Sequence, residues 1–370
     1  MANAWATVDL DAIAANVDTL VRLVAPSAVC AVVKADGYGH GAVPVARAAL
    51  EAGASWLAVA HVGEGERLRE AGLDAPVLVL SEPEPSDFGR LVDAGLEVTL
   101  FSAAGVDAAA AAAARGPLRA HLKVDTGMHR VGAQPDEVVP LARRIADTPG
   151  LELAALWTHL AVADEPDDPF TELQLRRYRE ALAALEAEGL APPLRHAANS
   201  AGAIGHPEAR FDLVRCGIAV YGLPPSPALD GVVPLRPAMS LCARVSHVKT
   251  VAAGDAISYG QRHRFDHDAR VATVTIGYAD GVRRDLFQRG GEVLLHGTRC
   301  PIVGTVTMDQ IMVECGDLPV QVGDEAVLFG TQGGATISVD EVAERLDTIA
   351  YEVICGVGPR VERRCVRSGR

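Results

Sequence analysis

Up to about residue 222 the sequence alternates short, β-rich apolar runs with Ala- and Leu-rich stretches of helical period, and it does so eight times. The runs are Val29–Ala35, Trp56–His61, Val77–Ser81, Glu97–Phe101, Ala120–Asp125, Leu153–His159, Leu194–Asn199 and Leu213–Tyr221. Between them lie helical stretches such as Gly41–Glu51, Glu64–Ala71, Ala103–Arg115, Pro135–Asp147 and Leu173–Glu188. Strand alternating with helix is the pattern that builds a parallel sheet. Eight such units point to a closed α/β fold, a (β/α)8 TIM-type barrel, rather than an open doubly wound sheet.

The tract Leu223-Pro224-Pro225-Ser226-Pro227-Ala228, followed by Pro234 and Pro237, interrupts the alternation and reads as a linker. Downstream, short β-patterned runs are punctuated by glycine: Leu241–Val251, Val271–Tyr278, Glu292–Leu295, Cys300–Val306, Ile311–Glu314 and Glu325–Leu328. One late helix is expected around Val339–Leu346. The chain is therefore expected to carry a barrel domain over residues 1–235 and a second, smaller C-terminal β domain over residues 236–370.

Charge narrows the partners. Lysine and arginine number 34 against 48 acidic residues, a net −14, and the basic residues are scattered. A nucleic acid or an anionic membrane is disfavoured as partner, so positive contacts to a ligand must come from a specific pocket. The N-terminus has no basic segment followed by an apolar core and no run is long enough to span a bilayer, so a cytoplasmic protein is expected. Seven cysteines without a Cys-x-x-Cys pair favour reduced thiols over a disulfide framework or a zinc site, and no metal is expected.

Barrel active sites lie at the C-terminal ends of the strands, so the residues closing each run are the candidates for chemistry. The first run ends Val33-Lys34-Ala35-Asp36-Gly37-Tyr38-Gly39-His40-Gly41. A lysine there can be a solvated rim charge. Leaving a buried strand, it can also have its amine pKa lowered by desolvation, which suits Schiff-base chemistry. Arg215 sits in the apolar run Phe211–Ile218 and needs a fixed partner, either a carboxylate such as Asp212 or a ligand. Ser200 is a helix cap or part of an anion cradle with the Gly217 and Ile218 amides. His159 alone reads as a hydrogen-bonding structural histidine, Tyr259 as a packed aromatic, and Lys123 as a strand lysine paired with Asp125 or another acid.

The glycine-rich segment at Lys34 resembles the cofactor-lysine signature of the alanine racemases. The likeness continues in order through Lys123–Gly132 (with Arg130), Thr158-His159-Leu160-Ala161, Asn199-Ser200-Ala201, Arg215–Gly222, Ile257-Ser258-Tyr259-Gly260, Gly277–Gly281, Met308-Asp309-Gln310 and Ala350-Tyr351-Glu352. It spans nearly the whole chain. The resemblance implies interconversion of L- and D-alanine on pyridoxal 5′-phosphate carried by Lys34, with D-alanine supplied for peptidoglycan. It gives phosphate contacts to Tyr38, Ser200, Gly217, Ile218 and Tyr351, and a contact to the pyridine nitrogen to Arg215. It makes Lys34 and Tyr259 the two bases on opposite faces of Cα, with Tyr259 supported through His159 and Arg215. Substrate carboxylate contacts fall to Arg130 and the Met308 amide, with Lys123 carbamylated beside Arg130. A homodimer with shared sites follows, since the family's tyrosine reaches the other subunit. Asp36-Gly37 and Thr307 depart from the family's frequent Asn-Ala and Cys.

A racemase of another small amino acid such as serine is the nearest rival. A non-enzymatic cofactor-binding barrel would lack the second domain and Tyr259. A metal hydrolase would need a His-x-His or His-Glu-x-x-His pattern after a strand, which the sequence lacks.

Overall fold

A computed structural model describes residues 3–367. The chain opens with β1 (Ala4–Asp9) and the helix Leu10–Val24, and all eight expected runs then form strands. These are β2 (Ala28–Val32), β3 (Trp56–Val59), β4 (Val77–Val79), β5 (Glu97–Leu100), β6 (Leu118–Lys123), β7 (Leu151–Trp157), β8 (Leu194–His196) and β9 (Leu213–Cys216). Every pairing among them is parallel, in the order β8-β7-β6-β5-β4-β3-β2-β9. The backbone bonds Asp212 N to Arg195 O and Arg215 N to Ala198 O, both 3.0 Å, bring β8 and β9 together and nearly close the ring. The fold is thus a (β/α)8 barrel followed by a separate, mostly-β C-terminal unit.

Most of these strands stop two or three residues short of the sequence expectation at their C-terminal ends, because the closing residues leave the ladder to face the mouth of the barrel. The largest departure is Leu213–Tyr221, expected as one strand. Gly217 (φ −106°, ψ −89°) breaks the extended conformation, and Ile218–Tyr221 forms a 3₁₀ turn instead.

TIM-barrel interiors are ordinarily filled by branched apolar side chains. Here Glu97, His121, Lys123, His196 and Arg215 are all buried. Register sets Lys123, Trp157 and His196 side by side across β6, β7 and β8, and sets Arg215 beside Cys30 across β9 and β2. Asp212, weighed above as a partner for Arg215, instead pairs bidentately with Arg195 at 2.7 and 2.9 Å.

The second compact unit contains residues from Ala238 onward together with β1 and the short segment Tyr38–His40. Its axis is β10 (Met239–Val251), long enough to serve different partners at its two ends. The first half of β10 pairs antiparallel with β1 and, on its other edge, with a strand at Glu325–Gln332; its second half pairs with a strand at Ala269–Val274. A strand at Glu362–Val366 then lies parallel to β1. The first strand, placed by sequence within residues 1–235, therefore joins the sheet of the C-terminal unit. Trp5 on β1 is covered there by the guanidinium groups of Arg244 and Arg364, 4.7 and 4.4 Å from its ring. The late helix forms at Val339–Arg345, capped by the Ser338 hydroxyl, which accepts the Glu341 amide. Among the described residues no helix is long and apolar enough to cross a membrane.

Candidate active site

Beyond β2 the chain enters a left-handed turn: Ala35, Asp36, Gly37 and Tyr38 have φ of 53°, 51°, 63° and 50°. L-residues pay about 1–2 kcal/mol each for this conformation. The turn is held by local bonds. Gly37 N donates to Val33 O at 2.9 Å, Gly41 N to Asp36 O at 2.8 Å, and Ala42 N to the Asp36 carboxylate at 2.9 Å. Glu64, at the start of the helix Val62–Glu70, reaches back to accept the Ala35 amide at 2.6 Å with one oxygen and the Ala60 amide at 2.8 Å with the other. One carboxylate thus fixes the exits of β2 and β3 together, and with them the backbone that carries Lys34.

Lys123 closes β6 and is buried, its ammonium 4.4 Å from the centre of the Trp157 ring. Burial, then Arg215 and Arg130, lower its pKa to about 7, against a smaller opposing effect of Asp125. The loop bearing Arg130 folds back on the strand, with Asp125 N donating to Ala133 O and Ala133 N to Lys123 O at 2.9 and 2.8 Å. The Asp125 carboxylate accepts the Gly127 and His129 amides, so it is committed to shaping that loop.

Arg215 is only 3% exposed. Its guanidinium donates to His196 Nδ1 at 2.8 Å, to Thr158 O at 2.8 Å and to Ala197 O at 2.9 Å, and lies 3.4 Å from His159 Nδ1. Burial lowers its pKa to about 10, which leaves it charged at neutrality. Burial and then Arg215 hold His159 well below the usual histidine range, so its imidazole is neutral. Lys34, Lys123, Arg130 and Arg215 each act electrostatically on His159, which brings five of the sequence candidates into one cluster.

Ser200 begins the helix Ser200–Gly205 behind the cap Asn199, whose side chain accepts the Gly202 amide. The buried Ser200 hydroxyl accepts the Gly217 amide at 2.9 Å and the Ala219 amide at 3.4 Å. A hydroxyl, a run of backbone amides and a helix start converge here, the donor set that suits a phosphate.

In the second unit Tyr259 stands on a short hairpin formed by Ala256–Ile257 and His263–Arg264 and is 72% exposed. Its backbone is rigidly set: the Ser258 hydroxyl donates to Thr305 O at 2.6 Å and the Thr305 hydroxyl donates to Tyr259 O at 2.9 Å. Met308 and Tyr278, also exposed, share another fixed loop pair, with Tyr278 N bonded to Thr307 O and Ala279 N to Met308 O. Gly277 makes that pairing possible, since a Cβ there would lie 2.3 Å from Thr307 O. Arg360 bridges Asp280 and Asp309 at 2.9 to 3.0 Å and holds the same loops. Tyr38 and Tyr351 are neighbours in this unit, ring centres 6.2 Å apart.

Two family models cover the chain: "Alanine racemase, N-terminal domain" matches residues 8–225 and "Alanine racemase, C-terminal domain" matches residues 238–365. The chain belongs to the alanine racemase family. An alanine racemase of Symbiobacterium thermophilum is 51% identical over 362 residues, 97% of this chain and 96% of that protein. An alanine racemase of Geobacillus stearothermophilus is 43% identical, covering 99% of this chain and 94% of its own. Among solved structures, the alanine racemase of Bacillus anthracis with bound L-Ala-P superposes with a TM-score of 0.94 at 40% identity, covering 100% of this chain and 96% of that one.

For this member of the alanine racemase family, sequence reasoning missed Glu64, Trp157, His196, His121 and Glu97. His121 and His196 were visible as histidines inside apolar strands, and Glu97 as an acid opening one. Nothing in the sequence pairs them, because their contacts cross 24 to 75 residues.

Proposed function

We propose that this chain is an alanine racemase that interconverts L- and D-alanine, with pyridoxal 5′-phosphate held on Lys34. The observation that carries the reading is the group at the barrel mouth of Lys34, neutral His159 and the buried Lys123 and Arg215, in a chain related to alanine racemases over 97% of its length. The barrel residues fit that cofactor. The Ser200 hydroxyl and the Gly217 and Ile218 amides suit its phosphate, Lys34 its aldehyde, and Arg215 its ring nitrogen; the family likeness adds the Tyr38 and Tyr351 hydroxyls. When bound, pyridoxal 5′-phosphate supplies the electron withdrawal that loosens the proton on the α-carbon of the amino acid.

The chain's own groups handle the proton and the substrate's charge. Racemisation needs a base on each face of the α-carbon, because one base returning its proton to the same face gives no inversion. Lys34 Nζ serves one face and the Tyr259 oxygen of a partner subunit the other. A phenol titrates near 10 and needs support to act at neutrality. His159, with Nδ1 turned to Arg215, carries its proton on Nε2 and so has a donor for a phenolate oxygen. Arg215, charged at neutrality, would donate to the ring nitrogen of the cofactor and leave that nitrogen unprotonated. Arg130 and the Met308 amide take the substrate carboxylate. The reading is tested by incubating the protein and cofactor with single L-amino acids: D-alanine is expected, with serine slower, and absence of D-alanine overturns it.

Lys123 carries a second expectation. A neutral amine can add to CO2, forming a carbamate and releasing a proton; the product would turn a repelling neighbour of Arg130 into an attracting one. Below its pKa of about 7 the side chain is an ammonium and unreactive, so carbamylation should rise as pH passes upward through that value. With ¹³C-bicarbonate, a carbamate NMR signal is expected to grow over that interval and to be missing from Lys123→Ala. A signal that survives the substitution would assign it elsewhere.

A further inference from the structure

One chain of hydrogen bonds runs through the interior of the barrel to Arg215. Arg215 Nη1 meets His196 Nδ1 at 2.8 Å, His196 Nε2 meets His121 Nδ1 at 3.0 Å, and His121 Nε2 meets Glu97 Oε2 at 2.9 Å. All four side chains are buried. Their strands place them in sequence from the mouth downward: Arg215 on β9, His196 closing β8, His121 within β6, and Glu97 opening β5. Stacking fixes the rings as well. His196 lies parallel to Trp157 with centres 5.5 Å apart and meets the His121 ring nearly edge-on.

Only one arrangement of protons satisfies every contact. A guanidinium has no acceptor, so His196 Nδ1 must be bare and its proton must sit on Nε2. That proton fills His121 Nδ1, which places the His121 proton on Nε2, aimed at the Glu97 carboxylate. Both histidines are therefore neutral Nε2–H tautomers, and every donor points away from Arg215. His196 is held well below the usual histidine range by burial and then by Arg215, in keeping with a ring that stays neutral. Burial works to raise the Glu97 carboxyl, but the His121 bond, with Arg119 and Trp56, outweighs it and keeps the group ionised. The end of the chain is anchored: Arg119 donates to Glu97 Oε1 at 2.8 Å and Trp56 Nε1 to Oε2 at 3.1 Å.

Among the described residues the hydrogen-bond partners of Arg215 are carbonyls and imidazoles, with no carboxylate. We propose that Glu97 and His121 are positioning residues for Arg215: they lock His196 in the tautomer that accepts from the guanidinium, and connect that buried cation to a buried carboxylate at the far end of the barrel. The lock has one direction. Reversing it would set a His196 N–H against an Arg215 N–H, two donors face to face, so the chain holds the guanidinium in place and conducts no proton toward the site.

The tautomers can be read in the protein without cofactor, from long-range ¹H–¹⁵N correlations of ¹⁵N-histidine-labelled enzyme. His121 and His196 are expected as Nε2–H forms. An Nδ1–H form at either position overturns the proposal, and this arm stands whether or not the chain racemises alanine. The consequence for turnover rests on the racemase reading and has its own arm. His121→Leu keeps the volume and removes both nitrogens; it should free the His196 tautomer and lower kcat about tenfold with little change in KM for alanine. His121→Gln, which keeps one acceptor and one donor, should restore most of the loss. A folded His121→Leu protein with unchanged kcat and an unchanged His196 signal would overturn the positioning role.

Discussion

Tyr259→Phe is expected to slow exchange of the α-proton of L-alanine by about 10²–10⁴-fold, the usual contribution of a positioned acid–base group, and exchange from D-alanine far less. The asymmetry is the informative part. Loss of a binding contact would slow both enantiomers alike, whereas loss of one of two opposed bases removes abstraction from one face only. Lys34 still serves the other face. The substitution is mild for the fold, since the ring is exposed and its backbone is held by Ser258 and Thr305 rather than by the hydroxyl. Deuterium incorporation from each enantiomer in D2O, followed by NMR, measures both rates on one sample. Equal losses would remove Tyr259 from the role of second base.

The part of this logic that the sequence carried is the part that depends on strand ends. Eight apolar runs announced eight parallel strands, and reading the strand ends pointed to Lys34, since the barrel gathers those ends at its mouth; Lys123 and His159 read alone as structural residues and entered the site only through the family resemblance. Ser200 and Gly217 were legible for the same reason, as strand-end loops rich in anion-binding groups. Three kinds of feature were not legible. The left-handed turn after β2 looked like strand continuing to Ala35, because the bonds that hold it come from Asp36 and from Glu64, 29 residues away. β1 looked like an approach to the barrel, because only its long-range pairing with β10 and with Glu362–Val366 shows which sheet it joins. The Glu97–His121–His196 chain lay within apolar strands, where sequence leads one to expect packing. Its members are buried polar groups whose cost is met by one another and by Arg119, Trp56 and Arg215. Such networks are specified by register across four strands, and register is a tertiary property.

Register within one chain also leaves Tyr259 and Met308 on the surface of their own unit, which bears on how a complete site is assembled. Lys34→Ala alone is expected to abolish racemisation, because it removes both the cofactor's covalent attachment and one base. Tyr259→Phe alone should leave only a trace. Unfolded separately, mixed and refolded with cofactor, the two inactive proteins should regain activity if each site takes Lys34 from one subunit and Tyr259 from the other. Random pairing makes half of the dimers mixed, and a mixed dimer holds one site with both groups and one with neither, so about a quarter of wild-type activity should return. If each subunit instead completed its own site, no combination would contain both groups and none would return. The recovered fraction therefore distinguishes a shared site from a self-contained one, and its dependence on the mixing ratio, highest at equal amounts, separates reassembly from residual activity of either protein.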